Sequence, residues 1–560
     1  MKLRALIPCA AAAVLLGAAC TDSDKSLGQE LVDYSRLFNT YTVEFNLEEI
    51  QMKASSDLSG FSDSRITIGA IRDDVFGLTT RESAFSLIPA LDTLDMGTNP
   101  KAISFDLYFE ADTVSCADDS QRSILQNLYV TELTEPLSLT DRNTTRSIPH
   151  GETLITDGLP VVNGSSPLSF YFTQEFAQKY VDVVSSLGPV LRDRVSENGV
   201  NKYDEYIKKL PGIHIRTDIP EGNGGRINLF NLSALSVASN QFYRNNNLAL
   251  LRVNSTWNGV NKDSTFVFLA GEPEFLDEKE STDAGNRFYQ YAFNRTTHTT
   301  VEQPASDVIL VEGGGGLKPV ILARELQEKT TEAILEKGGD PKKAIVVKGS
   351  IILPFEMPED YLDMKYFPSV LSPTVRTLFK DSDGVESISF AGLTDASVST
   401  EDQGDIDRSN MVYSPDITYH LQEVLRRTDL DTATDADIWL LTIHTEKVAE
   451  ASGVDNSYYQ QMMYAMYYNS LYGGGYGGYG GYGYGGYGYG GYGYGGYGGY
   501  GGYSNYYSYM LLAQMMAAQS QQQYSYNTEL DKDRYYCGKL CGPQSKNPPK
   551  FRVTFALPKE

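Results

Sequence analysis

The chain has 560 residues, enough for two to four domains with sizeable cores. With 72 acidic against 47 basic residues its net charge is −25, which excludes sequence-independent binding to phosphate backbones, because that requires lysine and arginine in excess. After the first residues no apolar run reaches the length of a membrane-spanning helix.

The chain opens with Lys2 and Arg4, then an apolar run from Ala5 to Ala18 broken only by Pro8. As a helix this run would span roughly 21 Å, short of the ~30 Å hydrocarbon core of a bilayer. Gly17, Ala18 and Ala19 lead into Cys20, and the chain turns polar at once with Thr21-Asp22-Ser23-Asp24. This is the layout of a secretory signal. A cysteine directly after small residues resembles a bacterial lipoprotein box, so residues 1–19 are predicted as the signal peptide and Cys20 as the lipidated residue. Gly17 stands where an aliphatic residue is usual, with Leu16 one place further out. Plain cleavage nearby, with Cys20 a bystander, is the alternative. Asp22 and Asp24 resemble the surface-export signal of Bacteroidota lipoproteins. Stable anchoring takes more than one acyl chain, as on a multiply acylated cysteine.

Residues 20–39 read as a polar tether. From Tyr41 the pattern is that of strands, and residues 40–272 are predicted as a β-sandwich domain. Ile103, Phe105, Leu107 and Phe109 alternate with polar residues, as do Ile66, Ile68 and Ala70, which puts each apolar set on one face of a half-buried antiparallel strand. Asp73-Asp-Val-Phe-Gly77 is a turn, and Ile124–Leu133 a further strand. One helix interrupts: Thr173 caps it, Phe176, Ala177, Tyr180, Val181 and Val184 repeat at three and four, and Gly188 ends it. A second helix is predicted from Tyr203 to Leu210. Gly222-Asn-Gly-Gly225 lies between two strand patterns, 212–218 and 226–232, and predicts a hairpin. Leu248–Val253 and Ser264–Leu269 follow as strands.

The polar stretch 273–286 is the expected linker, and residues 287–560 the second sandwich. Strands are predicted at 288–293, 308–311, 344–353, 437–443 and 551–557, with helices at 320–337 and 417–427. Between residues 457 and 527 lies a low-complexity insertion. Its centre, Tyr472–Tyr503, contains only glycine and tyrosine and has no aliphatic side chains to bury, so it is expected to be disordered. A long loop between strands adds closure entropy only as the logarithm of its length. Tyrosine faces in such a loop can stack on sugars or aromatics; a neutral repeat expansion is the alternative.

Gly313-Gly-Gly-Gly-Leu-Lys318 invites comparison with a phosphate-binding loop between a strand and a helix. It lacks the required spacing, and Pro319 follows the lysine, so a close-packed turn is expected instead. Asp381-Ser-Asp-Gly384 and Asp429, Asp431, Asp435 and Asp437 offer carboxylates for calcium or form solvated acidic turns. His150, His214, His298, His420 and His444 are far apart in sequence, and no metal site is expected. Cys537 and Cys541 bracket Gly-Lys-Leu and are a candidate disulfide in an oxidising compartment; as a zinc half-site the pair is poor, because no second Cys or His pair accompanies it. Cys116 reads as a small buried hydrophobe. No catalytic motif such as G-x-S-x-G or H-E-x-x-H occurs.

The order of several segments resembles the Bacteroidota lipoprotein family known as domain of unknown function 4270. They are Ser26-Leu-Gly28, Ile68–Gly77, Leu128–Leu133, Arg287–Tyr291, Val308–Lys318, Ile417–Leu425 and Gly542–Leu557. The glycine–tyrosine insertion departs from that pattern. The family carries no known catalytic residues, so the resemblance transfers none; no cofactor is expected. The expectation is a mainly β, lipid-anchored protein with two antiparallel jelly-roll-like sandwiches and a few short helices. It is expected at the outer membrane, facing the cell surface. Its expected role is non-enzymatic, structural or interactive, with an outer-membrane protein as partner and no nucleic acid. The alternative is a surface glycan-binding module.

Overall fold

The computed structural model describes residues 37–559, except 90–93, 139, 189–201, 233–246, 272–290, 381–385, 394, 396–403 and 450–523. The fold is mainly β, with several antiparallel sheets and few helices, as the alternation predicts. Among the described residues no helix is long and apolar enough to cross a membrane.

A branched sheet of 14 strands forms the first body. Its hub is the long strand Gly77–Pro89. The first half of this strand pairs with Arg65–Asp73 and Ala292–His298, and its second half with Ile213–Thr217 and Val260–Gly271. The hub thus passes from one layer to the other, and the layers close over a single core. Phe105, Leu107, Phe109, Phe266 and Phe268 meet Ile66, Ile68, Phe85, Val130 and Ile215 there. Each fully buried side chain of this size contributes about 1.5–3 kcal/mol. The helix Gln174–Leu187 covers one end and buries Phe176, Ala177, Tyr180, Val181 and Val184, the residues its periodicity marks. The Phe176 N–H donates to the Thr173 hydroxyl over 3.2 Å, and Gly188 ends the helix with φ +85°.

The second body packs a five-stranded sheet on a seven-stranded one. Phe551, Val553 and Phe555 of the first share a core with Ile321, Leu371, Ile438 and Leu440 of the second. Strand Phe38–Asn46 pairs along its whole length with the closing strand Lys550–Pro558, and Ile50–Ala54 pairs with Leu317–Ile321.

These pairings correct the expected division at 40–272 and 287–560. Residues 38–54 belong to the second body, and Ala292–His298 belongs to the first. The first body is therefore an insertion between Ala54 and Gln303. A drop in hydrophobicity marks a loop, but it carries no information about which sheet the next strand joins. The expected tether also ends early, because Phe38 and Asn39 already pair with Pro558 and Leu557. The expected linker, the signal segment with Cys20, and residues 457–523 of the insertion lie outside the described residues. Residues 524–527, at the end of that insertion, are in the strand Tyr524–Leu530, which pairs with Ile438–Ala449.

Two local expectations are also corrected. Strands Ile213–Thr217 and Gly224–Asn231 do not form a hairpin. The first pairs with Gly77–Pro89 and Gln126–Leu133, the second with Arg65–Asp73 and Ala111–Cys116. Ile103 is 46% exposed although Phe105, Leu107 and Phe109 are buried. The register beside it steps from Ser104 to Ala102, so a bulge at Ile103 shifts the alternation by one residue and buries Ala102 instead.

Candidate functional site

The two bodies meet along a buried polar seam. Loop 531–536 of the second body lies against the outer face of the first. The Ser62 hydroxyl donates to Asp533 Oδ2 (2.9 Å), and Asn294 Nδ2 donates to Asp533 Oδ1 (3.2 Å). Arg81 is 1% exposed and donates to Thr296 and to the carbonyls of Lys532 and Arg534. Burial pulls the Arg81 guanidinium down to about 10, against the opposing pull of Asp533 and Asp531, so it stays charged at neutral pH. Burial pushes the Asp533 carboxyl up. Burial would also raise Asp531, but Arg534 and the Tyr536 hydroxyl (2.6 Å) outweigh it and hold that carboxyl below its ordinary value.

The Gly313–Gly316 turn lies beside this seam. It joins strands Val308–Glu312 and Leu317–Ile321, and the helix Ala323–Glu336 starts only after the second of them. This corrects the expected strand-to-helix placement. Other groups approach all four glycines closely, and at Gly313 the nearest is main chain. A Cβ would meet the Arg534 carbonyl at 2.2 Å from Gly313, Arg81 at 2.7 Å from Gly314, Thr144 at 2.3 Å from Gly315 and Glu312 at 2.5 Å from Gly316. Lys318 is fully buried and turns back into the loop, donating to the carbonyls of Glu312, Gly314 (3.1 Å) and Gly316 (3.3 Å). A phosphate loop points N–H groups at an anion; this one points carbonyls at a cation of its own chain. Burial pulls the Lys318 ammonium down to about 7. Three carbonyls match the three N–H bonds of the charged form. Glu312 accepts from Thr300 (2.6 Å) and the Leu317 amide (2.8 Å), with His298 Nδ1 3.4 Å away. Burial would raise Glu312, but His298, Leu317 and Thr300 hold it below the ordinary carboxylate range. These charges are closed off from solvent and engaged by one another and by main chain. The arrangement ties the two bodies together through buried polar bonds.

A cleft of about 560 Å³ opens at the edge of the seam. The first body contributes Ile71, Asp73, Phe76 and Cys116, and the second Asp307, Glu356, Met357, Asp363, Tyr366, Tyr535 and the strand Cys537–Cys541. Tyr366 crosses the junction and donates its hydroxyl to the Cys116 carbonyl. Asp73 shapes its own wall, accepting from the amides of Val75 (2.7 Å) and Phe76 (2.9 Å).

The free thiols Cys116, Cys537 and Cys541 all line this cleft. The candidate Cys537–Cys541 disulfide is corrected. Four residues of extended strand set the two Cα atoms roughly 13 Å apart, and a disulfide needs less than about 7 Å. Burial pushes the Cys537 thiol up to about 12 and raises Cys116 and Cys541 as well.

The acidic loops turn inward to their own chain. Arg427 bridges Asp429 and Asp435 with bonds of 2.7 to 2.9 Å, and Asp437 accepts the Ala323 amide (3.0 Å) at the start of a helix. Residues 381–385 lie outside the described residues. Distance along the chain misled for two histidines. His150 and His214 stack with ring centroids 4.1 Å apart, and His214 Nε2 lies 3.2 Å from Glu82, which also meets Arg295. Their strands flank a common neighbour, which spacing alone does not reveal. Among the described residues no three His, Cys, Asp or Glu side chains are grouped to hold a metal. The cleft had no sequence signal, because its walls come from seven separate stretches of the chain. No protein-family model, curated protein or solved structure matches this chain.

Proposed function

We propose that this chain is a non-enzymatic interaction protein, tied to the outer membrane by a lipid on Cys20 and facing the cell surface. Its binding site is the cleft between the two bodies. The observation that carries this reading is the cleft itself: about 560 Å³, walled by both bodies and open beside the seam that joins them. The resemblance to the lipoprotein family supports the anchor. A glycan-binding role ranks second, because a sugar needs an exposed ring face. Phe76, Tyr366, Phe367 and Tyr535 line the cleft but are 1%, 8%, 8% and 7% exposed.

A photo-cross-linking residue at Met357, at the cleft mouth, tests the reading in living cells. A control at Leu335, exposed on the helix Ala323–Glu336, reports background. A discrete adduct from position 357 alone is expected. No adduct, or the same adducts from both positions, would overturn the assignment of the cleft. For the anchor, Cys20→Ser should release the protein from the membrane fraction.

A further inference from the structure

Reading the cleft as the binding site leaves its occupant open, and the inference made here rests on that reading. The strand Cys537–Cys541 forms one wall of the cleft and, among the described residues, pairs only with Val308–Glu312. The ladder is fixed at both ends. The Gly313 N–H donates to the Tyr536 carbonyl, and the Gly542 N–H to the Asp307 carbonyl. Hydrogen-bonded positions alternate along an antiparallel pair. Tyr536, Gly538, Leu540 and Gly542 therefore turn their main-chain groups toward the partner strand, and Cys537, Lys539 and Cys541 turn theirs away from it. The partner strand obeys the same alternation. Its Leu310 N–H leaves the ladder for Met52 Sδ (3.2 Å), and its Glu312 carbonyl leaves it for Lys318. No main-chain hydrogen bond satisfies the outward groups of residues 537, 539 and 541 among the described residues. Cys537, Lys539 and Cys541 on one face of the strand and Leu540 on the other all line the cleft, so the cavity lies against the strand that carries this open edge.

An edge with unpaired groups is a template for another strand. Charge selects which strand fits. Asp307, Glu356, Glu359 and Asp363 line the cleft and are exposed, and Asp73 is partly so. The one cation among the lining residues, Lys539, lies over the Phe76 ring at 5.9 Å. Met357 and Val308, 47% and 41% exposed, place apolar surface next to these carboxylates. A second copy of this chain, with net charge −25, would be repelled. We propose that the cleft binds an extended basic peptide segment, which adds as a strand to the open edge of Cys537–Cys541 while its lysine or arginine side chains meet the surrounding carboxylates.

The test uses the full mature protein in detergent and a fluorescent nine-residue peptide of alternating lysine and valine. Companions are a glutamate–valine peptide and two lysine–valine peptides N-methylated at alternate amides, one in each phase. The lysine–valine peptide should bind, and weaken at least tenfold between low and high salt, while the glutamate peptide should not bind. One N-methylated phase should lose binding at least tenfold and the other keep it, because only one set of amides faces the edge. Lys539→Pro, which removes an outward N–H, should lose binding too. Its melting curve shows whether it is folded, and the N-methylated pair decides the question if it is not. Equal binding of both N-methylated phases would overturn strand addition, and no binding of the lysine–valine peptide would overturn the occupant altogether. Either failure is distinct from failure of the cleft reading, which the Met357 adduct reports.

Discussion

Ser62 and Asp533 lie 471 positions apart and share a hydrogen bond of 2.9 Å in the buried seam. Asp533 also receives Asn294, and Arg81 beside it spends its donors on Thr296 and two carbonyls of loop 531–536. The inserted body is thus held by polar bonds whose partners have no access to water, so losing one partner is costly.

Asp533→Ala removes the acceptor for Ser62 and Asn294 and leaves Arg81 with less counter-charge. It should destabilise the protein by about 2–4 kcal/mol, seen as a lower urea midpoint with an unchanged slope. An unshifted midpoint would show that the seam adds nothing to stability.

Lys318→Met removes the cation from three carbonyls and should cost about 3–5 kcal/mol at pH 7. The pH dependence has a definite sign. The folded chain releases the Lys318 proton near pH 7, whereas the unfolded chain keeps it to its ordinary value of 10.5. Between those values the unfolded state binds more protons, so stability rises with pH. The penalty for the buried charge is full below pH 7 and is relieved above it. Urea titrations from pH 7 to 9.5 should give a rising contribution in the wild type that is missing in Lys318→Met. Identical slopes would contradict it.

All three thiols of the described body should be free in protein purified without reductant. Alkylation after denaturation should add three labels, on Cys116, Cys537 and Cys541, by mass spectrometry. The native protein should react slowly, because burial raises all three thiols and only the thiolate attacks. Loss of two labels would reveal a disulfide.

Gly313→Ala should cost about 1–3 kcal/mol or more, because its Cβ would sit 2.2 Å from the Arg534 carbonyl, a main-chain atom in the seam. Gly158→Ala is the control for glycine removal: it faces open space but has φ +80°, so only backbone strain applies. Thermal melts of both should separate close packing from strain, with the larger drop at Gly313.

Legibility in the sequence followed the range of the interaction. The helix Gln174–Leu187 was readable to its cap, because Thr173, Gly188 and the 3.6-residue period act within a few positions. The part of strand Thr98–Phe109 from Phe105 on was readable, but not Ile103, where the bulge depends on the neighbour strand Leu248–Trp257. The glycines at 313–316 were readable as a tight turn, while the burial of Lys318 among their carbonyls was not.

By itself the sequence determined a mainly β chain with an excess of carboxylates, several of its strands and the cap of the helix Gln174–Leu187, because period and capping are local properties. The tertiary structure alone decided that the first body is inserted into the second, that Ser62 meets Asp533, and that the Cys537–Cys541 strand is left with an open edge beside carboxylates. Those outcomes depend on which strands finish paired, a choice made by the burial of whole faces and the satisfaction of main-chain groups far apart in the chain.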